Sequence, residues 1–208
     1  MSFFITFEGV EGSGKSTQAK QLAAYLEANG YKVLLTREPG GPSISEKIRE
    51  TLLDKSNTAM FAETELLLYM ASRAQHTGEW IIPALKRGEI VISDRYIDSS
   101  YAYQGGGRQL DMSVIETIGN YATFGLKPDI TVLLDIPVEV GMERMKGFEL
   151  DRIELEHIEF HRRVREFFLN VAKKETERYI VIDGCGTPES IQKEIREKIL
   201  SKIKEGKR

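Results

Sequence analysis

Cysteine is almost missing from this chain of 208 residues, where Cys185 stands alone. That excludes an intramolecular disulfide and any zinc site built from several thiolates, and it fits a reducing compartment. Histidine is nearly as scarce. His76, His157 and His161 form no tight ligand set, and the four-residue spacing of the last two is ordinary for a helix surface. An excess of positive charge is also lacking: 29 Lys and Arg face 32 Asp and Glu, a formal net charge of −3. Non-specific binding to nucleic acid or to anionic membranes calls for the opposite balance. No apolar run approaches the ~20 residues of a membrane span, and no basic stretch precedes an apolar one at the start. The expectation is a cytoplasmic protein with no nucleic-acid or membrane partner. Its length suits one α/β domain over residues 1–208, with a core that needs no disulfide. Internal repeats, low-complexity tracts and linkers are absent as well.

What is present begins at residue 9. Gly9, Val10, Glu11, Gly12, Ser13, Gly14, Lys15 and Ser16 follow the apolar run 3–7 and lead through Thr17 into an amphipathic stretch, an order that reads strand, loop, helix. The pattern G-x-x-x-x-G-K-[ST] gives each fixed position a task. Glycines let successive backbone N–H groups face a polyphosphate at the positive end of a helix. Lys15 reaches the β- and γ-phosphates, and the Ser16 hydroxyl can ligate Mg²⁺. Further apolar runs of strand length lie at 33–36, 90–93, 130–134 and 179–182, separated by stretches of helical period. Five runs rich in Val, Ile and Leu predict a five-stranded parallel sheet flanked by helices, the three-layer P-loop NTPase architecture. Ligands in such sheets bind beyond the carboxyl ends of the strands, which here carry Arg37, Asp94, Arg95, Asp135 and Asp183. Arg37 and Arg95 thus converge on the polyphosphate loop. The pieces expected to be mobile are the turn 39–42, the glycines 105–107 and the segment around 145–151; disorder is expected for 202–208.

Taken together, the phosphate loop, Thr36-Arg37-Glu38-Pro39-Gly40-Gly41, Tyr69-x-x-x-Arg73, Asp94-Arg95-Tyr96, Tyr103-Gln104-Gly105-Gly106-Gly107-Arg108 and Leu150-Asp151-Arg152-Ile153-Glu154 resemble the thymidylate kinase family over nearly the whole chain. Each motif is weak alone; their joint order is specific. The resemblance implies reversible γ-phosphoryl transfer from Mg-ATP to dTMP and a homodimer packed through helices. It implies that the loop residues Gly9 to Thr17 bind ATP, with Lys15, Arg95 and Arg152 catalytic. Ser16 would ligate the metal, with Asp94 as a direct or water-mediated partner. On the dTMP side it implies Glu11 on the sugar 3′-hydroxyl, Arg37 on the acceptor phosphate, Tyr69 stacked on thymine and Arg73 on a base carbonyl. Arg95 would bridge the two phosphoryl groups, while Ser100, Tyr103 and Gln104 line sugar and base.

The loop lacks the arginine that one branch of the family carries there, so the cations should come from a lid at about 145–152. Arg144, Lys146 and Arg152 are the candidates, Arg152 foremost. Asp151 and Glu154 read as partners of neighbouring cations, or as helpers of Mg²⁺. His76 and Trp80 continue the Tyr69/Arg73 stripe and read as ordinary helix-surface packing. Two other functions share the phosphate loop. A guanine-nucleotide switch would carry Asn-Lys-x-Asp, which this chain lacks; against another monophosphate or deoxynucleoside kinase stand the Tyr69/Arg73 pair and the segment Tyr103 to Arg108.

Overall fold

The structure, a computed structural model, describes residues 2–205. Five strands, β1 (Phe3–Glu8), β2 (Val33–Arg37), β3 (Ile90–Asp94), β4 (Ile130–Asp135) and β5 (Tyr179–Asp183), pair in parallel in the order β2-β3-β1-β4-β5. Each extends one residue past its expected carboxyl end. That residue is Glu8, Arg37, Asp94, Asp135 or Asp183, so the polar group of each strand end is held in the ladder itself. Alternation decides which residues meet which layer. Ile5, Phe7, Ile92, Val132 and Ile182 pack with α1 (Lys15–Ala28) and, by way of Ile191, Ile195, Ile199 and Ile203, with the carboxyl-terminal helix Pro188–Glu205. Phe4, Val91 and Leu133 face the other way.

Between β2 and β3 run α2 (Ser43–Leu53), α3 (Ala62–His76) and α4 (Ile82–Lys86), with a π-helical turn, Thr77–Ile81, joining the last two. After β3 the chain forms α5 (Ile97–Ser100), a second π-wound stretch, Tyr101–Gly107, and α6 (Met112–Ala122). Two more helices, α7 (Val138–Met145) and α8 (Ile158–Lys174), follow β4, and Pro188–Glu205 is α9. The second face of the sheet is covered by α3 and α6 through Leu66, Met70 and Ile115, and by α8 through Phe160, Val164 and Phe168. Sheet and two helical layers make the expected three.

Two expectations are corrected. The glycines 105–107 form part of a wound, largely buried segment, not a mobile loop. A Cβ on Gly106 would come within 2.9 Å of Phe167, and one on Gly107 would collide with the Phe160 ring, so here glycine serves close packing against α8. At the carboxyl end, α9 continues through 202–205, with Ile203 only 1% exposed; 206–208 lie outside the described residues. No helix among the described residues is long and apolar enough to cross a membrane.

Candidate active site

The strand ends open onto a cavity of about 530 Å³ whose floor is the phosphate loop. Gly9, Gly12 and Gly14 take φ of 140°, 70° and 91°, which turns the loop over the start of α1. Gly12 also has no room for a side chain, because a Cβ there would strike the Gly141 carbonyl of α7. Lys15 is buried, its Nζ donating to Val10 O at 2.7 Å and Ser13 Oγ at 3.2 Å. Burial and the nearby Arg95 guanidinium pull its pKa down to about 8. The Ser16 hydroxyl donates to Asp94 Oδ2, so the two expected metal ligands stand together beside Gly14 and Thr17 in the wall. Hard oxygen donors, one hydroxyl and one carboxylate, suit Mg²⁺ that takes its other ligands from phosphates and water. The described residues hold no cluster of three His, Cys, Asp or Glu that would form an all-protein cage.

Arg95 follows β3 in the left-handed region, φ 72°, a conformation that costs a non-glycine residue roughly 1–2 kcal/mol. Its N–H donates to Phe7 O at 3.0 Å and its carbonyl accepts from Ser93 Oγ at 2.7 Å, so neighbours hold the corner. The guanidinium then lies 4.9 Å over the Tyr103 ring and donates to Glu11 Oε1 at 2.8 Å. Tyr103 OH donates to the same oxygen at 2.6 Å. Burial, the largest single influence, would raise the Glu11 pKa, but Arg95 together with His161, Lys15 and Tyr103 outweighs it and holds the carboxylate well below its usual range. A loop carboxylate that opposes anions is thereby balanced by Arg95 and held against Tyr103.

Across the cavity, Arg37 and Arg49 frame the turn 38–41. Arg37 Nη1 and Arg49 Nη1 both donate to Pro39 O, at 3.0 and 2.8 Å, while Glu46 braces Arg37 at 3.0 Å. Arg49 had not been singled out. Its signal was faint, one of two basic residues on α2, twelve positions after Arg37, in a stretch without a motif. Tyr69 and Arg73 line the same wall from α3, with Ser100 and Gln104 beside them. Arg73 is 1% exposed. Its Nε donates to Glu38 at 2.8 Å, Nη1 to Ser100 Oγ at 2.8 Å and Met70 Sδ at 3.2 Å, and Nη2 to Tyr96 O at 3.0 Å. Four of five guanidinium hydrogens are thus committed, leaving one. His76, expected on the helix surface, is fully buried: Nδ1 lies 2.9 Å from Glu38 and Nε2 2.8 Å from Thr36 Oγ1. Gln104 is aimed by Glu65, which accepts from Nε2 at 2.9 Å. Glu38 and Glu65 organise the wall, and neither stood out as an anchor because their partners lie 35 or more positions away.

The segment from the end of α7 to α8 covers the cavity with Met145, Phe148, Asp151, Ile153 and Glu154. Its candidate cations point elsewhere. Arg152 is not among the lining residues: Nη1 pairs with Glu65 at 2.7 Å and Nε donates to Leu52 O at 2.9 Å, leaving Nη2 buried without an acceptor. Arg144 donates to Gly12 O and Gly184 O, tying α7 to the phosphate loop, and Lys146 pairs with Glu143. Asp151 and Glu154 bond backbone rather than cations. Asp151 Oδ1 accepts from the N–H groups of Ile153 and Glu154, and Glu154 Oε2 accepts from that of Asp151. The arrangement is a reciprocal cap.

A family model described as Thymidylate kinase matches residues 7–195. The chain is 50% identical over 207 residues to a thymidylate kinase of Pelobacter propionicus, covering 96% of this chain and 94% of that one. With a thymidylate kinase of Carboxydothermus hydrogenoformans it shares 53% over 194 residues, covering 93% and 94%. The crystal structure of thymidylate kinase from Ehrlichia chaffeensis superposes with a TM-score of 0.79 at 35% identity, covering 96% and 98%. Since these matches run the length of the chain and take in both the phosphate loop and the facing arginine wall, the chain belongs to the thymidylate kinase family.

Proposed function

We propose that the chain phosphorylates dTMP to dTDP by reversible transfer of the γ-phosphoryl group of ATP, in the supply of dTTP. The observation that carries this is one cavity with cations on opposing sides, Lys15 and Arg95 at the phosphate loop, Arg37 and Arg49 at the turn 38–41, and an aromatic ring, Tyr69, in the wall. An acceptor phosphate oxygen forms the new bond to the γ-phosphorus as the bond to the ADP oxygen breaks. Little covalent work falls to the protein, so alignment and charge neutralisation dominate. The amides and side chains of Gly9 to Thr17 hold ATP. Arg37, with Arg49, holds the acceptor phosphate, Glu11 the sugar hydroxyl, and Arg95 reaches both phosphoryl groups. Tyr69 stacks on the base, and the last free N–H of Arg73 meets a base carbonyl, with Ser100, Tyr103 and Gln104 lining the pocket. Ser16 and Asp94 hold Mg²⁺, which when bound neutralises charge on the phosphates. Arg152, with its unused Nη2, becomes the lid cation of the segment 145–152 by turning from its pairing with Glu65 into the cavity when substrates fill it, and the whole chain acts as one catalytic unit.

A homodimer and a cytoplasmic location belong to the same reading. On α3 and beyond, Leu67, Ala71, Ala74 and Gly78 form one stripe; Val114, Ile118 and Tyr121 form another on α6, with Phe124 over Gly78. Tyr121 is 86% exposed and Phe124 62%, which suits burial against a second copy. Light scattering on wild type and Tyr121→Glu tests it: a wild-type monomer refutes the dimer. The reaction is tested by ADP release with dTMP, dUMP, UMP, dCMP, AMP and GMP. Turnover that depends on dTMP is expected; slow turnover indifferent to acceptor would refute the kinase and favour a nucleotide switch.

A further inference from the structure

Glu8, the last residue of β1, has a carboxyl group that is 0% exposed and has neutral hydrogen-bond partners. Oε1 accepts from the Tyr96 N–H at 2.8 Å, and Oε2 lies 2.6 Å from Ser99 Oγ. Both partners adjoin the corner that carries Arg95, Tyr96 within it between β3 and α5 and Ser99 in α5 itself. Tyr96 is the next residue in the chain, and Ser99 Oγ lies 3.3 Å from Arg95 Nη1. Glu8 therefore reaches Arg95 twice, through the backbone on its carboxyl side and through a hydroxyl against its guanidinium. A buried carboxyl is a costly way to fill space, and an apolar side chain would do that better. We propose that Glu8 is a positioning residue for phosphoryl transfer, locking the corner after β3 so that Arg95 projects between the donor and acceptor phosphate sites.

The inference rests on the reading of Arg95 given above. Without the Glu8 anchor, the amide of Tyr96 loses its acceptor and the left-handed turn at Arg95 loses one of its restraints. Arg95 N–H to Phe7 O and Ser93 Oγ to Arg95 O remain, so the corner loosens while the strand pairing persists. The surroundings favour the uncharged form of Glu8. Burial and the Asp98 carboxylate push its pKa up to about 8, against the pull of Ser99, Arg95 and the Tyr96 amide; Arg178 pairs with Asp98 from the far side. Oε1 accepts from the Tyr96 N–H and Oε2 accepts from the Ser99 hydroxyl; a glutamine carbonyl keeps the first bond and its amide N–H can donate to a Ser99 hydroxyl that rotates, whereas leucine makes neither.

The test is steady-state ADP release with ATP and dTMP for wild type, Glu8→Gln, Glu8→Leu, Arg95→Ala and the double variant Glu8→Leu/Arg95→Ala, each normalised to folded protein from its melting curve. Glu8→Leu should lower kcat on the order of tenfold to a hundredfold, as expected for a misplaced catalytic group, with KM for ATP nearly unchanged. Glu8→Gln should restore most of kcat. In the Arg95→Ala background Glu8→Leu should cost nothing further. Wild-type kcat in folded Glu8→Leu, or losses that multiply in the double variant, would overturn the proposal. Should Glu8→Leu fail to fold, Ser99→Ala decides: a kcat several-fold below wild type at a native melting temperature supports it, and unchanged kcat overturns it. Undiminished turnover in Arg95→Ala would instead sink the reading of Arg95 itself.

Discussion

Replacing Arg73 with alanine tests the wall of the cavity as a charged network. The Arg73 and Glu38 side chains are 2% and 3% exposed and meet at 2.8 Å, so solvent does little to screen them. Removing the guanidinium strands the Glu38 carboxylate in the interior with His76 as its remaining neighbour, and frees Ser100 Oγ and Tyr96 O. Breaking a buried pair in this way costs about 3–5 kcal/mol, well above the worth of an exposed one. At about 2–4 °C per kcal/mol for a chain of this size, the melting temperature should fall by about 6–20 °C. Sequence alone suggests that Arg73→Ala merely erodes base discrimination; the network makes it first a loss of stability. Adding Glu38→Gln should recover a good part of the loss, because an amide is far cheaper to bury than an uncompensated charge. Differential scanning calorimetry and urea titration of the three variants measure this. A melting temperature for Arg73→Ala within about 2 °C of wild type, far below what a broken buried pair costs, would refute the network argument.

Lys15→Ala should reduce kcat on the order of 10²–10³-fold with the fold intact, and full activity would remove Lys15 from the chemistry. Since Lys15 in the free protein has its pKa drawn down to about 8, it is charged below that pH and neutral above it. The kcat/KM for ATP should therefore be level below about pH 8 and fall above it, and a profile still level at about pH 9 would contradict the assignment. Tyr69→Phe should be nearly silent, whereas Tyr69→Ala should weaken dTMP binding by ~1–3 kcal/mol in calorimetric titration; equal losses would mean that the hydroxyl, not the ring, makes the contact. For the lid, Arg152→Ala should slow transfer in single-turnover kinetics, since a cation there counts most as charge redistributes. An unchanged rate, with loss in Arg144→Ala instead, would move that role to Arg144 of α7, which bonds the phosphate loop.

Much of this was legible in the sequence because it depends on near neighbours. Eight consecutive residues suffice to curl a phosphate loop, and runs of Val, Ile and Leu at strand length suffice for a parallel sheet with its ligand edge. The joint order of the short motifs pointed to the family. Tertiary structure alone decided what each charged group faces. Arg152 sits within a motif, yet its partner is Glu65, 87 positions earlier, so it turns from the cavity. His76 shares a helical stripe with Arg73, but the pairing of β2 with β3 sets Thr36 and Glu38 against it and buries it. Gly105 to Gly107 read as flexible until Phe160, Phe167 and Met112 are seen to fill the space a side chain would need. Backbone preference acts over a few residues and is written in local order. The energy of a buried charge or a close contact is set by whichever distant residues the fold brings within a few ångströms.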